Sequence, residues 1–354
     1  MFKTARVAFA GFAALALGLW PRSAETCGMF VAAPRVQVPS LAVEQTLLVF
    51  DPAKELEHFI RQVAIRNPSP GFGFVVPVPE QPEVAAVKQS PFEKLAKRYP
   101  LETPGMLHPG MGGGGLGLGV AAAVPSVKVP STTRVGSFTA FVLAANDATG
   151  LKKWLDQHHL TTTPDAEAWF AHYVKLGFYY AALRYEAPPA DAKAPAKDAT
   201  RAETIRITFH TPLPFYPYRE PHHAASPNDD DERDLAVWLV SAGSYVPVSL
   251  FRDAASATWK RPLLQHYLRA ETRDALAEVV GSEIAQLLPP AKSGKQPGEP
   301  GTLSVQVFED QKRSREGWSD VVMVHQHPES LSGATPEQER KLMASLDPTF
   351  GGEP

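Results

Sequence analysis

Apolar positions alternate with polar ones in some stretches of the chain and recur at helical spacing in others. Those changes of period mark out its elements. Val43, Gln45, Leu47 and Val49 open a half-buried strand, with Leu48 blurring the alternation. Residues 59–66 read as its partner, and 71–78 as a third strand that Pro77 and Pro79 close. Residues 135–145 form the next strand. Asn146 or Asp147 then caps a helix with Leu151, Trp154, Leu155 and His158 on one face. Thr163 and Pro164 open a second helix, with Asp165 and Glu167 in its first turn. Its inward side carries Trp169, Phe170, Tyr173 and Val174, and Gly177 ends it. Residues 178–186 and 204–211 return to strand character, and in the latter Ile205, Ile207 and Phe209 alternate with Arg206, Thr208 and His210.

The last third repeats the mixture. Residues 235–241 read as a buried strand. Thr272 caps a helix carrying Leu276, Val279, Val280, Ile284, Leu287 and Leu288, which Pro289 stops. Residues 303–308 and 320–324 close as strands. Strands arrive in runs with helices inserted in pairs, which predicts an α+β fold with mostly antiparallel sheets; a doubly wound parallel sheet would need regular strand–helix alternation. Three stretches have no period: 104–125 with its glycine run, the Ala/Pro/Lys/Asp-rich 187–202, and 289–301. They hold too little apolar surface to fix their backbone and read as surface loops. The domain plan is therefore a leader at 1–26, an α+β domain at 27–327, and a weakly structured tail at 328–354 with one short helix near 336–346. If the domain divides into two subdomains, the break falls near 187–202.

Proline sharpens this picture. Its 34 residues in 354 are about double the usual share, and they punctuate apolar runs, as many short elements joined by turns require. The first residues decide where the chain works. Lys3 and Arg6 form a basic head, and residues 7–20 an apolar run too short, at about 21 Å of helix, for the roughly 30 Å hydrocarbon core. This is a signal peptide, whose removal leaves a mature chain beginning between Glu25 and Cys27, periplasmic or secreted, with no transmembrane anchor. Cys27 is the single cysteine, so no intramolecular disulfide can form. Its lipidation would need a small residue before it, and Thr26 stands there, so soluble export is the preferred reading over lipidation at Cys27. A net charge of −3 argues against nucleic acid as a partner.

Candidate chemistry is sparse. A reactive thiol at Cys27 needs a neighbouring cation, and Glu25, the nearest charge, works the other way. His325 and His327, two apart, place two imidazoles on one face of a strand, a usable start for a divalent metal, with His222, His223 or the acidic 229–234 run completing it. That run is no calcium loop, since its sixth position is Asp234 and its twelfth Val240. The plain alternative is a solvated loop and two exposed histidines. Nucleophile-elbow, zinc-protease and phosphate-loop motifs are missing, so no catalytic residue and no cofactor is assigned. Residues 212–219 offer a binding surface: prolines pre-set an extended backbone on which Phe215, Tyr216, Tyr218 and Arg219 would present stacking faces to a glycan or peptide. The competing reading has these aromatics cover the end of the preceding strand. The expectation is a non-catalytic binding or structural module with an envelope protein, peptide or glycan as partner. A metal-assisted hydrolase using His325 and His327 is the alternative.

Four stretches carry a family resemblance. They are the start Cys27-Gly28-Met29-Phe30, the strand 72–79 ending in Pro-x-Pro, the strand 141–148 running into the Trp154-Leu155 helix, and 169–185 followed by 205–210 and a proline-rich end. In this order they resemble a bacterial exported family, domain of unknown function 2330, over about residues 27–221. Met29 stands where that family commonly has glycine, and no second cysteine lies near. The resemblance implies export and a shared fold, and no reaction.

Overall fold

A computed structural model describes residues 25–26, 28–31, 40–66, 73–101, 127–160, 162, 164–186, 200–221, 234–252, 256–291, 301–310, 315 and 317–326. The expected leader up to residue 24, Cys27, His222, His223, 229–233, His327 and the tail lie outside them, as do 104–125, 187–199 and 292–300 of the expected loops.

The first part of the chain forms β1 (Glu25–Thr26), β2 (Gly28–Val31), β3 (Ser40–Asp51), β4 (Leu56–Arg66), β5 (Gly73–Val78), β6 (Glu83–Ala86), α1 (Phe92–Arg98), β7 (Val127–Val135) and β8 (Phe138–Ala145). There follow α2 (Ala148–Gln157), α3 (Pro164–Leu176), β9 (Tyr179–Tyr185), β10 (Thr200–Arg201), β11 (Ile205–His210) and β12 (Phe215–Tyr216). The last part holds β13 (Asp234–Ser241), β14 (Tyr245–Arg252), β15 (Ala257–Lys260), β16 (Leu263–Thr272), α4 (Arg273–Val280), α5 (Ser282–Ala285), β17 (Thr302–Asp310) and β18 (Val321–His325).

These strands make three sheets, antiparallel in every pairing except β3 with β13. A six-stranded sheet runs β1-β2-β5-β9-β8-β7. An eight-stranded one runs β16-β17-β13-β3-β4-β11-β6, with β10 also on β4. A four-stranded one runs β12-β18-β14-β15. The eight-stranded sheet is covered on both faces. Leu48, Phe50, Phe59 and Val237 join the core shared with the six-stranded sheet, while Leu47, Val49, Ile60 and Trp238 join a second core closed by α1, α4 and α5. The strand expected to be half-buried is therefore buried on both sides, which is why Leu48 broke its alternation.

Several boundaries differ from the sequence reading for local reasons. The strand at 135–145 is two: Val135 ends β7, a turn at Gly136-Ser137 reverses the chain, and β8 returns. The stretch 71–78 supplies β5, which belongs to the other sheet from β3 and β4. Pro77 is tolerated there because β2 pairs only with Gly73, Phe74 and Val75, leaving β9 as the neighbour at Pro77. The helix expected after Thr272 is two short ones, broken at Gly281, whose φ of +84° no helix admits. The Arg273 guanidinium closes their end by donating to the carbonyls of Ala285, Leu288 and Pro289. Asp147 caps α2, accepting from Thr149 and Gly150. Gly177, at φ +72°, follows α3. Strands from both sides of 187–199 share the eight-stranded sheet, since β4 pairs with β10 and β11.

Candidate functional site

Residues 212–221 are where the charged interior groups gather. Prolines at 212, 214, 217 and 221 remove four backbone donors, so few N–H groups in this segment need partners. Two of those that remain find carboxylates: Phe215 N–H donates to Glu57 Oε2 at 2.7 Å, and Arg219 N–H to Asp320 Oδ1 at 2.9 Å. Strand β12 pairs with β18, and Met323 N–H donates to the Pro214 carbonyl at 2.9 Å.

This seating overturns the exposed-platform reading. Phe215, Tyr216 and Tyr218 are 1%, 0% and 0% exposed. Phe215 meets Phe178 and Phe209 edge-on, and Tyr216 lies 5.8 Å from Phe59. Arg219 keeps partial exposure, and its carbonyl accepts from Trp169 Nε1 at 3.1 Å. The physical reason is the β12–β18 pairing, which draws the segment in among the sheets, so its aromatics close a core.

At the end of the segment a buried cluster forms around Arg315. Its Nε donates to Asp310 Oδ2 at 2.9 Å, its Nη1 lies 3.2 Å from Glu220 Oε1, and its guanidinium sits 4.3 Å over the Tyr218 ring. Tyr218 in turn donates its hydroxyl to Asp310 Oδ1 at 3.1 Å. Beside this cluster Asp320 accepts from the Tyr173 hydroxyl at 3.1 Å. Burial pushes Asp320 up to about 6, with the Arg219 and Tyr218 amides and the Tyr173 hydroxyl pulling it back. Burial likewise raises Glu57 well above the carboxylate range, against the pull of the Phe215 amide.

A second buried cation stands between the two large sheets. Arg61 on β4 lies 2.7 Å, Nε to Oε1, from Glu44 on β3, and its guanidinium is 4.8 Å from the Phe74 ring. Its Nη1 and Nη2 have no hydrogen-bond partner among the described residues. On the other face of β4, His58 Nδ1 lies 2.8 Å from Thr208 Oγ1. Burial first, then the Arg206 and Lys54 charges, lower His58 to about 4.

The remaining candidates are scattered. His325 ends β18, buried, with its ring 4.6 Å from that of Tyr245; its expected companion His327 lies outside the described residues. Among the described residues no three His, Cys, Asp or Glu side chains stand close enough to hold a metal ion. What the geometry brings together are Glu57, Glu220, Asp310, Arg315 and Asp320, none of which the sequence singled out. Arg315 sits in a polar run, 311–316, and although Asp310 is five residues away, Glu220 and Tyr218 are remote, so the run alone does not mark it.

No curated protein matches the chain. Among solved structures, baculovirus P35 is similar over 81% of this chain and 97% of its own, at 8% identity and a TM-score of 0.36. A mutated baculovirus P35 after caspase cleavage is similar over 81% and 99%, at 10% and 0.29. Likeness at this level carries no argument about fold or role. A family model is more informative: it matches residues 21–238, which takes in the whole stretch over which the sequence carries its resemblance. That is more than half of the chain, and the protein belongs to the bacterial family described as "uncharacterized protein conserved in bacteria" (DUF2330).

Proposed function

We propose that this protein is an exported, non-catalytic binding module of the cell envelope. One observation carries the reading: the charged side chains of its interior are directed chiefly at one another and at its own backbone. Arg315 takes up Asp310 and Glu220, Arg61 takes up Glu44, and Glu57 and Asp320 hold the amides of the proline-rich segment. Groups committed in this way stiffen a scaffold, whereas catalysis needs them aimed at a bound substrate. Export rests on Lys3, Arg6 and the apolar run at 7–20. No helix among the described residues is long and apolar enough to cross a membrane.

Complementation of a deletion strain tests the reading. Chains carrying Cys27→Ser, His58→Gln or His325→Ala, each shown by circular dichroism to be folded, are expected to restore the wild-type phenotype. Loss of complementation by any one of them, or about one equivalent of metal that His325→Ala strips, replaces this reading with an enzyme. Intact mass of the envelope fraction tests export, and the mature chain is expected to begin between Glu25 and Cys27.

A further inference from the structure

We propose that the outer edge of β16 captures an extended peptide of a partner protein, acidic and apolar in alternation, as an added strand. The proposal rests on the binding-module reading and names its partner. Strand β16 begins the eight-stranded sheet, with β17 along one side and, among the described residues, no strand along the other. An edge of this kind presents backbone donors and acceptors to any extended chain.

The other long edge shows what a protected one looks like. Strand β7 closes the six-stranded sheet, carries Lys128, Pro130 and Arg134, and shifts register between Lys128 and Ser131. Proline, cations and irregular register are the usual means of keeping an edge from pairing. Strand β16 has no proline from Leu263 to Thr272, and it displays Leu264 and Leu268 at 46% and 42% exposure.

Its one irregularity divides the two exposed leucines between the faces of the sheet. The register shift between Gln265 and Tyr267 sets Leu264 opposite Glu309 but Leu268 opposite Gln306, on the other face. An added strand of alternating pattern would therefore set its apolar face against Leu268 and its acidic face on the side of Arg269, which stands opposite Val305. The start of β16 borders a groove of about 380 Å³, lined by Val246, Pro247, Arg261, Pro262, Leu263 and Leu264, with room for an anchoring side chain.

Charge selects the occupant. Lys260, Arg261 and Arg269 are exposed beside this edge, and Lys260 and Arg269 are held over the rings of Phe251 and Tyr267. The nearby carboxylates are already engaged, Glu309 by His266 at 2.8 Å and Glu271 by Arg98 at 3.1 Å. The edge is basic, so an acidic strand complements it, whereas a second copy would bring the same cations against it.

The test uses the mature protein and a labelled eight-residue peptide of alternating leucine and glutamate, read by fluorescence anisotropy. Saturable binding is expected, weakened at least about tenfold by Leu268→Asp and by the Arg261→Glu/Arg269→Glu pair. A peptide N-methylated along one edge should not bind, because main-chain pairing is blocked. Both leucines and both arginines are exposed, and circular dichroism checks that the variants fold. No binding, equal binding of the N-methylated peptide or of a leucine–lysine peptide, or indifference to the substitutions overturns the proposal. So does a dimer in sedimentation that Leu268→Asp disperses, which assigns the edge to a second copy. These outcomes concern the edge alone, while the complementation outcomes concern the non-catalytic reading alone.

Discussion

Arg315 and Arg61 are both buried cations, and the molecule treats them in different ways. Arg315 joins elements that meet only in the finished fold: Glu220 from the proline-rich segment, Asp310 from the end of β17, and the face of Tyr218. Arg61 pairs with Glu44 on the adjacent strand of its own sheet and rests on Phe74, with two guanidinium nitrogens left without hydrogen-bond partners among the described residues. A buried ion pair repays its desolvation only when further hydrogen bonds complete it. The first cluster has such a bond, from the Tyr218 hydroxyl to Asp310 Oδ1. The second has none among the described residues. Arg315 thus acts as a clasp, and the Arg61 pair serves more to fix the register of β3 against β4 than to stabilise them.

The sharpest way to break this comparison is Arg315→Met. It leaves Asp310 and Glu220 buried without their cation, and a loss of about 3–5 kcal/mol is expected in chemical denaturation. Arg61→Met should also destabilise, by about 2–3 kcal/mol, through the charge left on Glu44. Adding Glu44→Leu to it is expected to recover that loss or exceed wild type. A double variant no more stable than Arg61→Met alone would show that the pair stabilises after all.

Titration sharpens the contrast between the surroundings of the clasp and those of the eight-stranded sheet. Asp320, raised from 3.8 to about 6, favours the fold when protonated, so its contribution is full below about pH 4 and is lost as pH rises through 6. His58, lowered from 6.5 to about 4, runs the other way: its contribution is present above 6.5 and is lost as pH falls through 4. Thermal melts between pH 4 and 7 should show Asp320→Asn removing a decline in stability with rising pH, of at most about 3 kcal/mol. His58→Gln should remove an opposite and smaller acid-side loss, about 2 kcal/mol, because its site lies nearer solvent. Parallel pH profiles for wild type and both variants would refute the assignment.

Local signals carried some elements well. In α2 the Asp147 cap and the spacing of Leu151, Trp154 and Leu155 coincide with the structure, since one face is buried and the other is wet. In β11 the alternation of Ile205, Ile207 and Phe209 survives because Arg206, Thr208 and His210 keep partial exposure. Where both faces are covered, as in β3, period fades, and where the strand lies at the sheet edge with most positions at least partly exposed, as in β16, there was little to find. Pairing was out of reach for another reason: nothing near Leu47 announces that Trp238 will lie beside it. The aromatics at 215–218 suited a platform and a core equally well. The pairing of β12 with β18 and the carboxylates of Glu57 and Asp320, all remote in sequence, decide between the two.

The parallel pairing of β3 with β13 has a consequence for how the chain reaches its fold. The hairpin of β3 and β4 is complete early, but the strand that seals its open side is made only after the six-stranded sheet, both of its helices and the proline-rich segment. Contacts between such distant segments form slowly. Until they do, Leu47, Leu48, Val49 and Phe50 line an unsealed apolar edge of the kind that pairs with the wrong neighbour. If the chain crosses a membrane from its N-terminus, that edge is delivered first and its partner much later. The interval between the two is a period in which the protein depends on being kept apart from its own copies.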